Sequence, residues 1–216
     1  MTSRIAIIAG ATGLVGREIL AGLLADPAVS AVHSLGRKKP AVEHPKLMAQ
    51  VVDFAALPAL AAADEVYLAL GTTIKVAGSQ AAFRAVDYGA NLAVAKAALA
   101  AGAKRAGLVS AMGADPRSNI FYSRVKGELE SALTALPFEA LVMARPSLLV
   151  GNREELGQPV RRGEIIGEAV AKAIGFLIPA DYKPVAASAA AKALLARVPT
   201  AEGRVVLLSG AMRRAE

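Results

Sequence analysis

The run Ile5-Ala6-Ile7-Ile8-Ala9-Gly10-Ala11-Thr12-Gly13-Leu14-Val15-Gly16-Arg17-Glu18-Ile19-Leu20 decides the fold. A short apolar stretch reads as a buried strand, three glycines follow at three-residue spacing, and a helical period begins at once. Strand, glycine turn and helix in that order build a site for nucleotide phosphates. Gly10 permits the tight turn, Gly13 lets the backbone approach a pyrophosphate, and Gly16 lets the helix pack close to the strand. The free N–H groups around Thr12, Gly13, Leu14 and Val15, together with the helix dipole, then hold the anion. The spacing is G-x-x-G-x-x-G, a variant of the general G-x-G-x-x-G fingerprint.

Working outward, 216 residues allow one α/β domain with a sizeable core, read here as a single unit over 1–216. A chain that is 55% hydrophobic and 20% charged is globular. With 4% aromatic residues and no tryptophan, a nucleic-acid surface of stacked rings is not expected. The formal charge of +7 suits an anionic ligand. The absence of cysteine excludes disulfides and thiolate chemistry. His33 and His44 lack partners at ligand spacing, so no metal site is expected. No run is long and apolar enough to span a membrane, and the expected location is cytoplasmic.

Periodicity and turn residues place strands at 5–9, 29–35, 47–52, 66–70, 106–110, 138–144 and 204–208. Helices are expected at 13–25, 80–101, 118–136, 164–174 and 187–198, with a loop at 71–79. Short apolar strands alternating with helices imply a doubly wound, Rossmann-like α/β fold. Its parallel sheet is covered by helices on both faces. Residues from about 145 to the end are expected to supply part of a small substrate region.

Where an NAD site would carry a carboxylate at the end of the second strand, this chain has Gly36-Arg37-Lys38-Lys39. A guanidinium stacks on adenine and forks onto a 2′-phosphate, which makes NADP the expected cofactor over NAD, with Arg37 the reader. Asp53 stands where a carboxylate accepts from the adenine amino group. Leu70-Gly71-Thr72-Thr73 ends the fourth strand at the carboxyl edge, where backbone and hydroxyls meet ribose or phosphate.

Tyr122 and Lys126 stand at i and i+4, so phenol and ammonium share a helix face. An ammonium nearby favours the phenolate, and such a tyrosine exchanges a proton with a carbonyl or alcohol oxygen. Ser110, at the end of the fifth strand, is placed to bond that oxygen. Asn91 is given a structural role on the long helix.

Together these motifs resemble the short-chain dehydrogenase/reductase superfamily, in its atypical or extended branch, and within it the Tat-interacting-protein type of NADPH-binding oxidoreductase. The stretches that carry the resemblance are Gly10 to Gly16, Leu35-Gly36-Arg37, Val51-Val52-Asp53, Leu70 to Thr73, Gly113-Ala114-Asp115, Tyr122 to Glu128 and Arg145-Pro146. The resemblance implies Tyr122 as proton donor or acceptor, Lys126 as the ligand of the nicotinamide ribose, and Ser110 as the group that orients the substrate oxygen. One departure stands out: related sequences often carry a serine pair after the fifth strand, and here Ala111 and Met112 follow Ser110.

The activity expected is hydride transfer to or from a small carbonyl or alcohol. The alternatives are a nucleotide-sugar epimerase or dehydratase, for which the chain is short, and an NADPH-binding redox-sensing regulator without turnover. The expected partner is a small molecule, with neither nucleic acid nor membrane; a homodimer is left open. Arg153, Arg161 and Arg162 are candidates to receive an anionic substrate, with solvated side chains the simpler reading.

Overall fold

The computed structural model describes residues 3–151 and 179–214. Seven parallel strands form one sheet: β1 (Arg4–Ala9), β2 (Val29–Gly36), β3 (Leu47–Val51), β4 (Glu65–Leu68), β5 (Arg105–Val109), β6 (Ala140–Arg145) and, after a short β7 (Leu149–Val150) and β8 (Val185–Ala186) that pair with each other, β9 (Gly203–Leu208). The order across the sheet is β3-β2-β1-β4-β5-β6-β9. Strand order reverses beside β1, between β2 and β4, and that switch point opens a crevice at the carboxyl ends of the strands.

Strand β1 shows why both faces are covered. Ala6 and Ile8 point into one apolar cluster, built with Leu20, Leu23 and Leu194, while Ile7 and Ala9 point into the other, built with Val94, Leu129 and Leu133. The first cluster is roofed by α1 (Leu14–Ala25) and α6 (Ala187–Arg197), the second by α4 (Asn91–Ala100) and α5 (Phe121–Thr134). A strand buried on both sides reads as an unbroken apolar run, as residues 5–9 do.

The expected doubly wound α/β fold is therefore the observed one, with three local differences. The segment expected as a single helix over 80–101 is three pieces: α3 (Gln80–Arg84), a π-helical turn (Ala85–Ala90) and α4. The wider turn rotates the helix face part-way along its length, an insertion that recurs at functional sites. Inside the expected 71–79 loop lies a short helix, α2 (Ile74–Ala77), whose N-cap Thr73 accepts the Val76 N–H through its hydroxyl. A terminal α7 (Ser209–Arg213) follows β9 directly. The expected helix at 164–174 and Arg153, Arg161 and Arg162 lie outside the described residues.

At the opposite edge of the sheet, Arg4 clamps the fully buried Glu65 with one guanidinium nitrogen, 2.8 Å from both carboxylate oxygens. Tyr67 donates to the same carboxylate at 3.3 Å. This cluster joins the entrances of β1 and β4 and lies away from the crevice.

His33 is buried on β2 with burial pushing its imidazole below the ordinary value. The folded chain thus resists a proton that the unfolded chain accepts near pH ~6.5. Stability is expected to be insensitive to His33 above that pH and to fall as pH drops through it, until His33 itself charges in the fold. Urea unfolding at neutral and mildly acidic pH checks this: the acid loss shrinks in H33L, and an unchanged loss contradicts it.

Candidate active site at the carboxyl edge

The glycine turn sits at the switch point. Gly10 takes φ +92°, and a Cβ there would stand 2.5 Å from the carbonyl oxygen of Ala69. A Cβ on Gly16 would stand 2.0 Å from the carbonyl oxygen of Gly10. The Gly13 N–H donates to that carbonyl at 2.9 Å and closes the turn. Gly13 is also the N-cap of α1, which has no side-chain cap and no acidic residue in its first turn. The opening N–H groups of Leu14 and Val15 therefore face the crevice side of a dipole that favours an anion. These residues fit a dinucleotide pyrophosphate.

Beside the turn is a cavity of about 420 Å³, lined by Thr12, Arg17, Lys38 and Lys39 with Leu20 and Leu24 as apolar floor. Arg37 is exposed at the end of β2 and does not line it. Of the Arg37-Lys38-Lys39 run, the last two members line the cavity instead of the expected reader. Asp53 is exposed after β3, where its carboxylate accepts the Ala55 N–H at 2.9 Å, an ordinary local turn.

On α5, Tyr122 is 39% exposed, and its ring lies 5.7 Å from that of buried Phe83. One turn on, Lys126 is only 5% exposed, with its ammonium 2.8 Å from Asp87 Oδ1. Burial pulls that ammonium down, while the negative charge of Asp87, with smaller contributions from Tyr122 and Glu130, more than offsets it. Lys126 consequently holds its proton above the ordinary lysine range.

Asp87 was not read from the sequence as part of the site. It is 1% exposed, and its second oxygen accepts the Thr72 N–H at 2.8 Å. The backbone N–H of Thr72 is thereby spoken for, while Gly71 is exposed and Leu70 is held by its carbonyl, which accepts from Asn91 Nδ2 at 3.1 Å. The Thr73 hydroxyl serves as the α2 cap and is committed there.

Ser110 stands at the end of β5, as expected. Its side chain is buried, and its hydroxyl donates to Glu130 Oε1. The same carboxylate is gripped by Arg145, whose Nε lies 3.0 Å from Oε1. The hydrogen bonds that Arg145 donates to the Glu130 carboxylate hold its guanidinium above its ordinary value. Ser110 thus ties the end of β5 to α5 and β6, with its proton given to Glu130 and its lone pairs left as acceptors. Glu130, unmentioned by the sequence reading, continues the step of four from Tyr122 through Lys126.

An NAD(P)H-binding family model matches residues 10–140, from the glycine turn to the start of β6. The chain belongs to this NAD(P)H-binding family. It is 37% identical over 176 residues to the mitochondrial protein fmp52 of Emericella nidulans, a match spanning 77% of this chain and 74% of that one. Several fungal relatives carry the same name, where the sequence reading expected the Tat-interacting-protein type. Their names place them in mitochondria, which overturns the expectation of a cytoplasmic location; composition and the absence of an apolar span carry no information on which organelle a chain enters.

Among solved structures, a short-chain dehydrogenase/reductase family oxidoreductase from Burkholderia thailandensis superposes with a TM-score of 0.72 at 19% identity. That match covers 99% of this chain and 94% of the other. A UDP-N-acetylglucosamine 4-epimerase from Methanobrevibacter ruminantium superposes at 0.71 with 14% identity, covering 96% and 77%. At these identities the likeness establishes the fold alone, a Rossmann-like α/β arrangement that an oxidoreductase and an epimerase share.

Proposed function

We propose that the chain is an NADP(H)-dependent oxidoreductase that reduces a small carbonyl compound or oxidises the matching alcohol. The observation that carries this reading is the pairing on α5, where an open Tyr122 stands one turn from a buried, charged Lys126. NADPH, when bound, supplies the hydride. Tyr122, its side chain 39% exposed, gives its proton to the carbonyl oxygen as that oxygen becomes an alcohol. Lys126 holds positive charge one helical turn away, where it offsets the negative charge left as the proton departs. Gly10, Gly13, Leu14 and Val15 hold the pyrophosphate, and the 145–216 region selects the substrate. The mitochondrial names of the relatives extend to this chain as a proposed setting.

NADP is favoured over NAD by the cationic lining of the cavity next to Thr12. If Lys38 and Lys39 meet a 2′-phosphate there, K38A/K39A weakens NADPH by about tenfold or more and leaves NADH almost unchanged. Arg37→Ala, run in parallel, separates the two readers. Equal loss for both cofactors in both variants removes the NADP preference.

The reading as a whole is tested by NADPH oxidation with a panel of aldehydes, ketones and quinones. Turnover with one class supports it. Micromolar NADPH binding with no turnover across the panel favours a redox-sensing regulator instead.

A further inference from the structure

The π-helical turn places one acidic side chain where the enzyme reading has no assigned part. Between residues 80 and 101 the sequence is dominated by alanine and holds a single carboxylate, Asp87. A buried carboxylate is costly unless paired, and this one has each oxygen occupied: Oδ1 by the Lys126 ammonium at 2.8 Å and Oδ2 by the Thr72 N–H at 2.8 Å. Side-chain exposures of 6% for Lys126 and 1% for Asp87 make the pair nearly dry. Asn91, one turn further on, donates from Nδ2 to the carbonyls of Leu70 and Asp87 at 3.1 and 3.0 Å. The helix is thus bolted to the exit of β4 at Asp87 and again one turn on at Asn91.

We propose that Asp87 is the positioning residue of this site: it is the counter-ion that fixes the Lys126 ammonium at the carboxyl edge and ties it to the backbone at Thr72. The proposal rests on the oxidoreductase reading for its catalytic meaning, but the pair itself is a property of the fold. An ammonium with three protons gives one to Asp87 and keeps the others for a ribose hydroxyl or the Tyr122 oxygen. Lysine four positions from tyrosine is not held in place by helix geometry alone, because its long side chain has many rotamers. The carboxylate removes that freedom. The other charged or titratable groups acting on Lys126 are Tyr122 and Glu130 on its own helix, and Glu130 is already engaged by Arg145 and Ser110. Asp87 is therefore the counter-ion from the neighbouring helix, with a direct contact.

The test uses the full chain labelled with ¹³C at lysine Cε, the Lys126 resonance being assigned by its absence in K126M. Titrated from about pH 6 to about pH 11, wild-type Lys126 is expected to lose its proton later than the exposed lysines. In D87N, which keeps the shape and removes the charge, its midpoint is expected to fall below theirs, as burial is then opposed only by the smaller contributions of Tyr122 and Glu130. A midpoint in D87N that matches the wild type overturns the proposal. A role in packing alone would lower thermal stability without moving this titration.

Should D87N fail to fold, D87N/K126M removes both charges together. The double variant is expected to melt above D87N, and a melting point no higher overturns the proposal. Cofactor binding separates the two claims. D87N should lose about tenfold in NADPH affinity as pH rises across the lowered Lys126 midpoint, where the wild type stays flat. A wild type that binds no NADPH defeats the enzyme reading, and the lysine titration still decides on Asp87.

Discussion

Replacing Tyr122 by phenylalanine is expected to lower kcat for carbonyl reduction by about 10²–10⁴ while leaving NADPH binding within about twofold. The asymmetry follows from where the phenol sits. Tyr122 is more than a third exposed, and its ring packs tilted at 49° against Phe83, a contact that phenylalanine keeps. The variant loses one hydroxyl from a partly exposed side chain, so the fold and the glycine turn are expected to stay intact. What disappears is the proton that must reach the substrate oxygen as hydride arrives. Water can deliver a proton in its place, which is why a residual rate is expected and not zero. Circular dichroism and a NADPH fluorescence titration establish that the variant is intact; steady-state kinetics with the best substrate of the panel read the loss. Equal turnover in wild type and Y122F removes the assigned chemistry.

The second large effect is on the turn itself. Gly10→Ala combines two costs. The left-handed backbone at φ +92° costs about 1–2 kcal/mol for a residue with a Cβ. Forcing that Cβ toward an oxygen 2.5 Å away adds overpacking of about 1–3 kcal/mol, because the obstacle is backbone and cannot rotate aside. Gly78→Ala is the internal control. It has nearly the same φ, +86°, at the end of α2, but nothing lies within 4 Å of its added carbon. Urea unfolding of both variants should show a loss for Gly10→Ala well above that for Gly78→Ala, the difference being the contact with Ala69. Gly10→Ala is also expected to abolish measurable NADPH binding, since the strained turn moves the N–H groups that face the phosphates. Equal destabilisation by the two substitutions would mean that the close approach of the turn to Ala69 does not exist in solution.

The fold was legible because its signals are local. Residues 5–9 alternate between two buried faces, so each appears as apolar, and the glycines mark where the chain must turn tightly. The site was legible only where it too is local. Tyr122 and Lys126 share a helix face by spacing alone, and Glu130 extends the same step of four, so that signal was present and unread. Asp87 was harder to place. An alanine-rich segment reads as an uninterrupted α-helix, and nothing in its period announces a π-helical turn that faces its one acidic residue toward a lysine thirty-nine positions later. Ser110 is a different case. Its position at the end of β5 is as expected, but the direction of its hydroxyl depends on Glu130 and Arg145, which come from two other elements. Long-range pairing of this kind leaves no spacing to count.

These features converge on one claim: a carbonyl compound accepts hydride from NADPH over the Tyr122–Lys126 pair. It is tested most directly with NADPH carrying deuterium at the transferable position of its nicotinamide ring, mixed with the wild-type protein and each member of the carbonyl panel. The account predicts deuterium on the former carbonyl carbon of one product class, with the label transferred by wild type and reduced to traces by Y122F. Bound NADPH that keeps its deuterium across the whole panel would contradict it.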